Sequence, residues 1–350
     1  MSESKSSASV EGLIYAFVAF GWWGVVPPLF FTGLKSVSIW EVLAHRVVWS
    51  IVFLLGLLII GGRLREFQRC FENWNILKRL LITTPLIVTN WVIYVYGVVS
   101  GQVVQTSLGY FINPLLNVVF GLMFFGESLR KLQWAAVGLA AIGVGYLTYN
   151  SQQGFPWIAI TLATSFGLYG TIRKTIKVNG LASLSFEISM AAPFAIVYLC
   201  MVTMMGTTAV SGETGTYTFG GGDWWVDFLL LMSAPVTAVP LLCFGQAARR
   251  LPLTVLGFIQ YVAPTLQFLT AIWLLGEELR KEMLICCLCI WGALVLYSAD
   301  SVSTARKNRA IVGGTAFTAK APDGQLAFEV QEKHKETAIT EKSASITSPK

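Results

Sequence analysis

The sequence predicts an all-α polytopic membrane protein: ten transmembrane helices arranged as two five-helix repeats that enter the membrane in opposite directions. Three observations predict it. Of 350 residues, 55% are hydrophobic and only 13% charged, about half the roughly 25% charged share of soluble domains. Apolar runs of about 17 to 25 residues recur almost from end to end, each able to cross a hydrocarbon core of roughly 30 Å as a helix rising 1.5 Å per residue. A stretch of the first half also returns in the second with its proline and its charged end intact. Soluble domains of this length would need polar surface on every helix, and the alternating pattern of a membrane barrel is missing.

Taken in order, the first span, 12–31, lacks a basic n-region and a small-residue cleavage pattern and reads as a retained helix after a cytoplasmic N-terminus, 1–11. The second, 39–60, carries Glu41, His45 and Arg46, the densest ionisable group in any span. The third, 80–99, carries Asn90, Trp91 and Tyr94, and the fourth, 103–125, carries Ser107, Tyr110, Asn113, Pro114 and Asn117. In the fifth, 132–149, the small pairs Ala136/Ala140 and Ala141/Gly145 predict close helix contacts. The sixth is 156–172; the seventh, 181–205, contains Glu187. Gly220 to Gly222 before Trp224 and Trp225 reads as a flexible loop entering an interfacial aromatic belt. The eighth span is 225–247; the ninth, 253–275, carries Gln260, Tyr261, Pro264 and Gln267. The tenth, 283–299, reads as a lipid-facing helix carrying Cys286, Cys287 and Cys289. With no His or carboxylate beside them, these thiols pack as small hydrophobes; neither disulfides nor a metal site is expected. From Ser301 the polar composition has no apolar periodicity and predicts a disordered cytoplasmic tail, 301–350.

Orientation follows from Lys and Arg in the short loops. One face holds thirteen of them and the other three, Lys35, Arg280 and Lys281, which places both termini in the cytoplasm. The net charge of +6 is shared between tail and membrane part and supports no nucleic-acid partner.

The segment SLGYFINPLLNVVFGLMFFGESLRK, 107–131, aligns without gaps to GFIQYVAPTLQFLTAIWLLGEELRK, 257–281, an offset of 150 residues. Hydrophobic bias cannot generate the matches Pro114/Pro264, Glu127/Glu277 and Arg130/Arg280. A weaker echo at an offset of 146 pairs Glu41 with Glu187. The repeats are therefore 12–149 and 150–300, five helices each. An odd number of helices inverts the second copy, which explains why Arg280 and Lys281 break the positive-inside pattern. Inverted repeats with matched helix-interrupting prolines mark secondary transporters, because a pseudo-two-fold axis supplies two nearly equivalent gated states.

At EVLAHRVVWS (41–50), SLGYFINPL (107–115), SFGLYGTIRK (165–174) and LGFIQYVAPTLQFL (256–269), the chain resembles the RarD branch of the EamA family, in the drug/metabolite transporter superfamily. The likeness reaches from about residue 10 to 300. It implies an EamA-like fold of ten helices and a permease of the plasma membrane, the inner membrane in a bacterium, in a branch named historically for chloramphenicol sensitivity. It does not name a substrate.

The residues suggest where transport would be carried out. His45 and Arg46 lie roughly 9 to 10 Å into the bilayer, too deep for a casual charge. Glu41, His45 and Arg46, of which Glu41 and His45, four apart, share a helix face, read as a coupling or gating group with Glu187 as repeat partner; the alternative is a capping carboxylate with Arg46 snorkelling outward. Ser107, Tyr110, Asn113 and Asn117 share a face of the fourth span, and Pro114 and Pro264 free the carbonyls of Tyr110 and Gln260. Unpaired amides in hydrocarbon cost several kcal/mol, so they must face one another, water or a solute. The expected site is a central cavity of uncharged hydrogen-bonding groups with aromatic walls, lined by Asn90, Trp91, Tyr94, Ser107, Tyr110, Asn113, Asn117, Gln260, Tyr261 and Gln267; interhelical glue is the competing role. No catalytic motif is present and no cofactor is expected. The expected partners are a small-molecule solute and the lipid bilayer, and the sequence sets no oligomeric state. The leading function is secondary-active export of a small metabolite or amphiphilic drug-like solute by alternating access, with proton coupling as an option. An uncoupled channel-like facilitator and a non-transporting receptor or scaffold stay open.

Overall fold

The only regular elements in the computed structural model are α-helices, among its described residues 9–151, 154–206, 219–274 and 280–318. In chain order they are α1 (Val10–Thr32), α2 (Ile39–Ile60), α3 (Leu64–Glu72), α4 (Trp74–Val99), α5 (Val103–Phe125), α6 (Lys131–Asn150), α7 (Trp157–Thr175), α8 (Gly180–Met205), α9 (Trp224–Arg250), α10 (Leu253–Gln260), α11 (Val262–Trp273) and α12 (Lys281–Thr318). Two compact units divide the chain, 1–294 and 295–350. The first holds all of α1 to α11. In the second, the described residues continue α12 to Thr318. This differs from the unstructured tail expected from Ser301. Ala305, Arg306, Lys307, Arg309 and Ala310 are good helix formers, and a helix already running needs no new nucleus to continue. Residues 319–350 and Glu277 lie outside the described residues.

The helix ends follow local chemistry. Asn73 accepts from the amides of Asn75 and Ile76, so α4 starts earlier than the apolar run at 80. Asp223 likewise caps α9 through Trp225 and Val226, and Asn179 caps α8 through Leu181. Gly126, at φ +59°, ends α5 in the left-handed conformation that glycine adopts freely. Sequence reading missed α3 because its apolar residues Leu64, Phe67, Cys70 and Phe71 form one short face. Among the described residues, nine helices are long and apolar enough to cross a membrane, counting α10 and α11 as one span and α12 to Ser301. The sixth expected span, α7, falls short of that composition. Its Ser, Thr and Gly residues with Arg173 and Lys174 reduce its hydropathy, and it packs along α4 and α5 with Ala159, Ala163, Tyr169 and Gly170 buried.

Within 1–294 the helix contacts come in couples. α5 packs on α7 as α11 packs on α1; α4 packs on α7 as α9 packs on α1; α2 meets α8, and α5 meets α10. The central core joins α1, α2, α4, α7, α8, α9 and α10 through residues such as Phe20, Leu54, Ile87, Tyr169, Leu184, Phe244 and Leu256. Small residues permit the closest approaches: a Cβ on Gly24 would sit 2.5 Å from Leu266 Cβ, and one on Gly257 would sit 2.7 Å from the carbonyl oxygen of Pro114.

Some local expectations need correcting. Ala136 and Ala140 are fully buried, but Ala141 and Gly145 are exposed; the partner of the close contact is Gly143, against Cys289 and the backbone of Cys286. The cysteine helix is not simply lipid-facing, since Cys286 and Cys287 are buried. The two prolines also differ in effect. α5 runs unbroken through Pro114, whereas the second copy breaks at Tyr261, between α10 and α11 and ahead of Pro264.

Candidate solute cavity

Side chains from eight helices meet in a cavity between the middle of the bundle and the end away from the basic loops. α1 contributes Phe20, Trp23, Pro27 and Phe31; α2, Arg46; α4, Asn90, Trp91 and Tyr94; α5, Gly109, Tyr110 and Asn113. Leu162 and Phe166 come from α7, Thr237 and Leu241 from α9, and Gln260, Ala263, Pro264 and Gln267 from the broken α10–α11. The interior admits the centre of a water-sized sphere over about 130 Å³. Phe20, Trp23, Phe166 and Phe244 form a wall of rings with centroids 4.9 to 6.1 Å apart, and Tyr94 and Tyr110 meet edge to face at 6.1 Å.

Arg46 changes the expected chemistry of this cavity. Its side chain points inward, and it is the one formally charged group among the lining residues. Nε donates to Thr237 Oγ1 at 2.9 Å, and the guanidinium carbon lies 5.9 Å from the Phe31 ring centroid and 5.8 Å from that of Trp91, within cation–π range. Neither outward snorkelling nor an uncharged cavity describes this site.

The amides mainly satisfy one another. Asn113 Nδ2 donates to the Ala163 carbonyl at 2.6 Å, and its Oδ1 accepts from Gln260 Nε2 at 2.5 Å and from Asn117 Nδ2 at 3.3 Å. Asn117 Nδ2 also donates to Gln260 Oε1 at 2.7 Å. Asn90 Nδ2 donates to Leu162 O and Ser165 Oγ, and Gln267 Nε2 to Trp23 O at 3.0 Å. Asn90, Asn113, Gln260 and Gln267 therefore border the cavity while bonding helix to helix. Asn117 is buried behind it, and Ser107 and Tyr261 do not line it.

The expected gating residues are spread apart. Glu41 and His45 are buried but do not line the cavity; His45 Nδ1 accepts from Trp49 Nε1 at 3.2 Å and its ring lies 5.2 Å from that of Phe219. No carboxylate among the described residues, Glu41 included, pairs with Arg46 within 4 Å. Glu187 sits in a separate buried network: Thr83 Oγ1 donates to it at 2.6 Å, Tyr169 Oη at 3.1 Å, and Arg173 Nη1 lies 3.5 Å away while donating to Ser183 at 2.6 Å. This binds α4, α7 and α8 together.

At the end bearing the basic loops, polar contacts tie the helices to one another. Glu127 accepts the amides of Leu253 and Thr254 at 2.7 and 2.8 Å, so a carboxylate from the end of α5 caps the start of α10. Lys174 donates to the carbonyls of Ala248 and Leu251 and lies 5.3 Å from the Phe125 ring. Arg249 donates to Val178 O, and Arg250 pairs with Glu11 at 3.3 Å.

Residues 10–149 match the EamA-like transporter family. A protein named RarD from Streptomyces exfoliatus is 38% identical over 88% of this chain and 94% of its own length. The chain belongs to the EamA-like transporter family, as a RarD-type member. An uncharacterized transporter of Vibrio cholerae is 40% identical over 85% of this RarD-type chain and 95% of its own. A Pseudomonas aeruginosa relative named chloramphenicol-sensitive protein RarD is 30% identical over 78% and 89%. A solved crystal structure, 16% identical, superposes with a TM-score of 0.65 over 85% of this chain and 99% of the other, which speaks for the fold. As a RarD-type EamA protein, the chain is a multi-pass membrane transporter and not an enzyme.

Sequence reading missed Phe20, Trp23, Phe31, Phe166 and Thr237 as cavity residues of this RarD-type protein. Phe166 lies inside the family-like stretch 165–174 and Trp23 in the doubled tryptophan of α1, so both carried a signal. Thr237 carried none beyond being a hydroxyl in an apolar run.

Proposed function

We propose that this RarD-type protein is a secondary carrier that exports a small solute by alternating access, using the central cavity as its solute site. It belongs in the plasma membrane, the inner membrane of a bacterium, with both termini cytoplasmic. The observation that carries this reading is the one-sided cavity: it reaches toward the end away from the basic loops, while Glu127, Lys174, Arg249 and Arg250 tie the helices together at the opposite end. That is the shape of one access state. The coupled helix contacts at a 150-residue offset support the other state, in which the repeats exchange roles. Aromatic walls beside hydrogen-bonding groups suit an amphiphilic solute, in keeping with the chloramphenicol-sensitive name of the Pseudomonas relative.

Counterflow in proteoliposomes tests the carrier. Solutes, chloramphenicol among them, are first screened for thermal stabilisation of the purified protein, and each hit is then offered labelled to vesicles with and without the same solute inside. Faster labelled uptake into preloaded vesicles is the expected result. Equal rates would point to a facilitator, and binding without flux to a receptor. Proton coupling is tested by imposing a pH gradient, with His45→Gln and Glu41→Gln compared; unchanged dependence in both variants removes that cluster from coupling.

A further inference from the structure

Arg46 is costly where it lies. A guanidinium has five N–H donors and carries its charge at any physiological pH, and a charge at membrane depth is tolerated only when it is paired or reaches water. Here Nε is used by Thr237, and the two rings of Phe31 and Trp91 hold the guanidinium in place. The terminal nitrogens have no acceptor among the described residues, yet neither is sealed off, and the side chain borders the cavity. A positioned guanidinium with its fork free is the arrangement that recognises a carboxylate through two parallel hydrogen bonds. The neighbouring walls define the rest of the ligand. Phe20, Trp23 and Phe166 form an apolar, aromatic surface, whereas the amides beyond them are already engaged with one another and with carbonyls.

We infer that the cavity of the proposed carrier selects small organic acids, with the carboxylate on the free fork of Arg46 and an apolar or aromatic body against Phe20, Trp23 and Phe166. The carboxylate supplies the counter-charge that no described lining residue provides, and the rings supply dispersion and exclude water, which strengthens the ion pair. The site recognises this class by charge and shape together. A neutral isostere keeps the ring contacts and loses the ion pair.

The inference rests on reading the cavity as a solute site, and binding tests it separately from transport. Benzoate, phenylacetate and indole-3-acetate are titrated into the purified full chain beside benzamide, phenylacetamide and indole-3-acetamide, with calorimetry as the readout. At least one acid is expected to bind about tenfold or more tightly than its amide, since a charge-assisted pair outweighs a neutral one by that order. Arg46→Gln should remove the acid's advantage over its amide, and Arg46→Lys should retain part of it, because the charge remains while the planar fork is lost. Equal binding of acid and amide to the wild-type protein, or no binding of any acid, overturns the inference without need of a variant. An acid preference that survives Arg46→Gln in a protein with unchanged helicity and elution volume overturns it as well. Acid binding without counterflow would sink the carrier and leave this site standing. Counterflow confined to neutral solutes would do the reverse.

Discussion

Asn113 and Cys70 show how far a residue type underdetermines its role. Asn113 borders the cavity, but its amide joins Ala163, Asn117 and Gln260. Asn113→Leu would strand donors on Asn117 and Gln260 and free the Ala163 carbonyl, each loss worth about 1–3 kcal/mol. The expected outcome is a clear fall in thermal stability in detergent, not a selective loss of transport; unchanged melting with lost flux would return Asn113 to solute contact. Cys70, on the short helix α3 outside the spans, is fully buried and donates weakly to the Glu66 carbonyl. Burial, with the nearby Glu187 charge adding to it, pushes its thiol up from 9.0 to about 11. The folded protein therefore holds this proton more tightly than the unfolded chain does, so stability from this group is full below pH 9 and declines as pH rises toward 11. Maleimide labelling at pH 7 to 8 should leave Cys70 unmodified in the folded protein and modify it after denaturation, read by mass spectrometry of peptides.

Element contacts depend on places where two backbones touch. Gly257 on α10 lies against the Pro114 carbonyl on α5, and an added Cβ would meet that oxygen at 2.7 Å. Because the obstacle is backbone, it cannot rotate away; Gly257→Ala should lower the melting temperature, whereas Gly56→Ala on α2, where a Cβ meets nothing within 4 Å, should not. Glu127 offers two oxygens to two amides at the start of α10. Glu127→Gln keeps one acceptor and places an N–H against the other amide, a loss of about 1–2 kcal/mol for the cap. If this cap holds the basic-loop end shut, a cysteine placed at Thr254 should react faster with a soluble thiol reagent in the Glu127→Gln background; an equal rate would make the cap purely structural. Helix positions were legible in the sequence because apolar length is a local property. The break at Tyr261 rather than a matched kink at Pro114 was not, because both prolines remove the same bond and only the surrounding packing decides whether the helix continues.

The whole bundle can be tested by sidedness. The repeat alignment and the thirteen-to-three distribution of basic loop residues place the end of the fourth span and the start of the tenth on opposite sides of the membrane. Single cysteines at Ser128 and Arg280, both exposed, introduced into a cysteine-free background, should be labelled by an impermeant maleimide from opposite sides. Labelling of both from one side would rule out the inverted arrangement. At this scale the helix couples α5–α7 with α11–α1 and α4–α7 with α9–α1 are the structural counterpart of an offset that the sequence shows only in one matched segment.

The sequence by itself determined the class of molecule, the places of most of the long apolar helices, the matched segment at an offset of 150 residues, and the family resemblance, but not α3, the early start of α4 or the continuation of α12 to Thr318. What it determined depends on composition, length or linear spacing, which a chain carries whether or not it is folded. Asn90, Trp91, Tyr94, Tyr110, Asn113 and Gln260 were also legible as cavity neighbours, because a polar or aromatic residue in an apolar run must find company. Only the tertiary structure decided what that company is. It turned Asn113, Asn117 and Gln260 toward one another, tied Glu187 into a network with Arg173, and left Glu41 and His45 off the cavity. It aimed Arg46 into the cavity between Phe31 and Trp91. The physical reason is that a helical register gives the direction of a side chain on its own helix, while the identity of the group it faces depends on how neighbouring helices are rotated and spaced, and those are set by packing across the whole bundle.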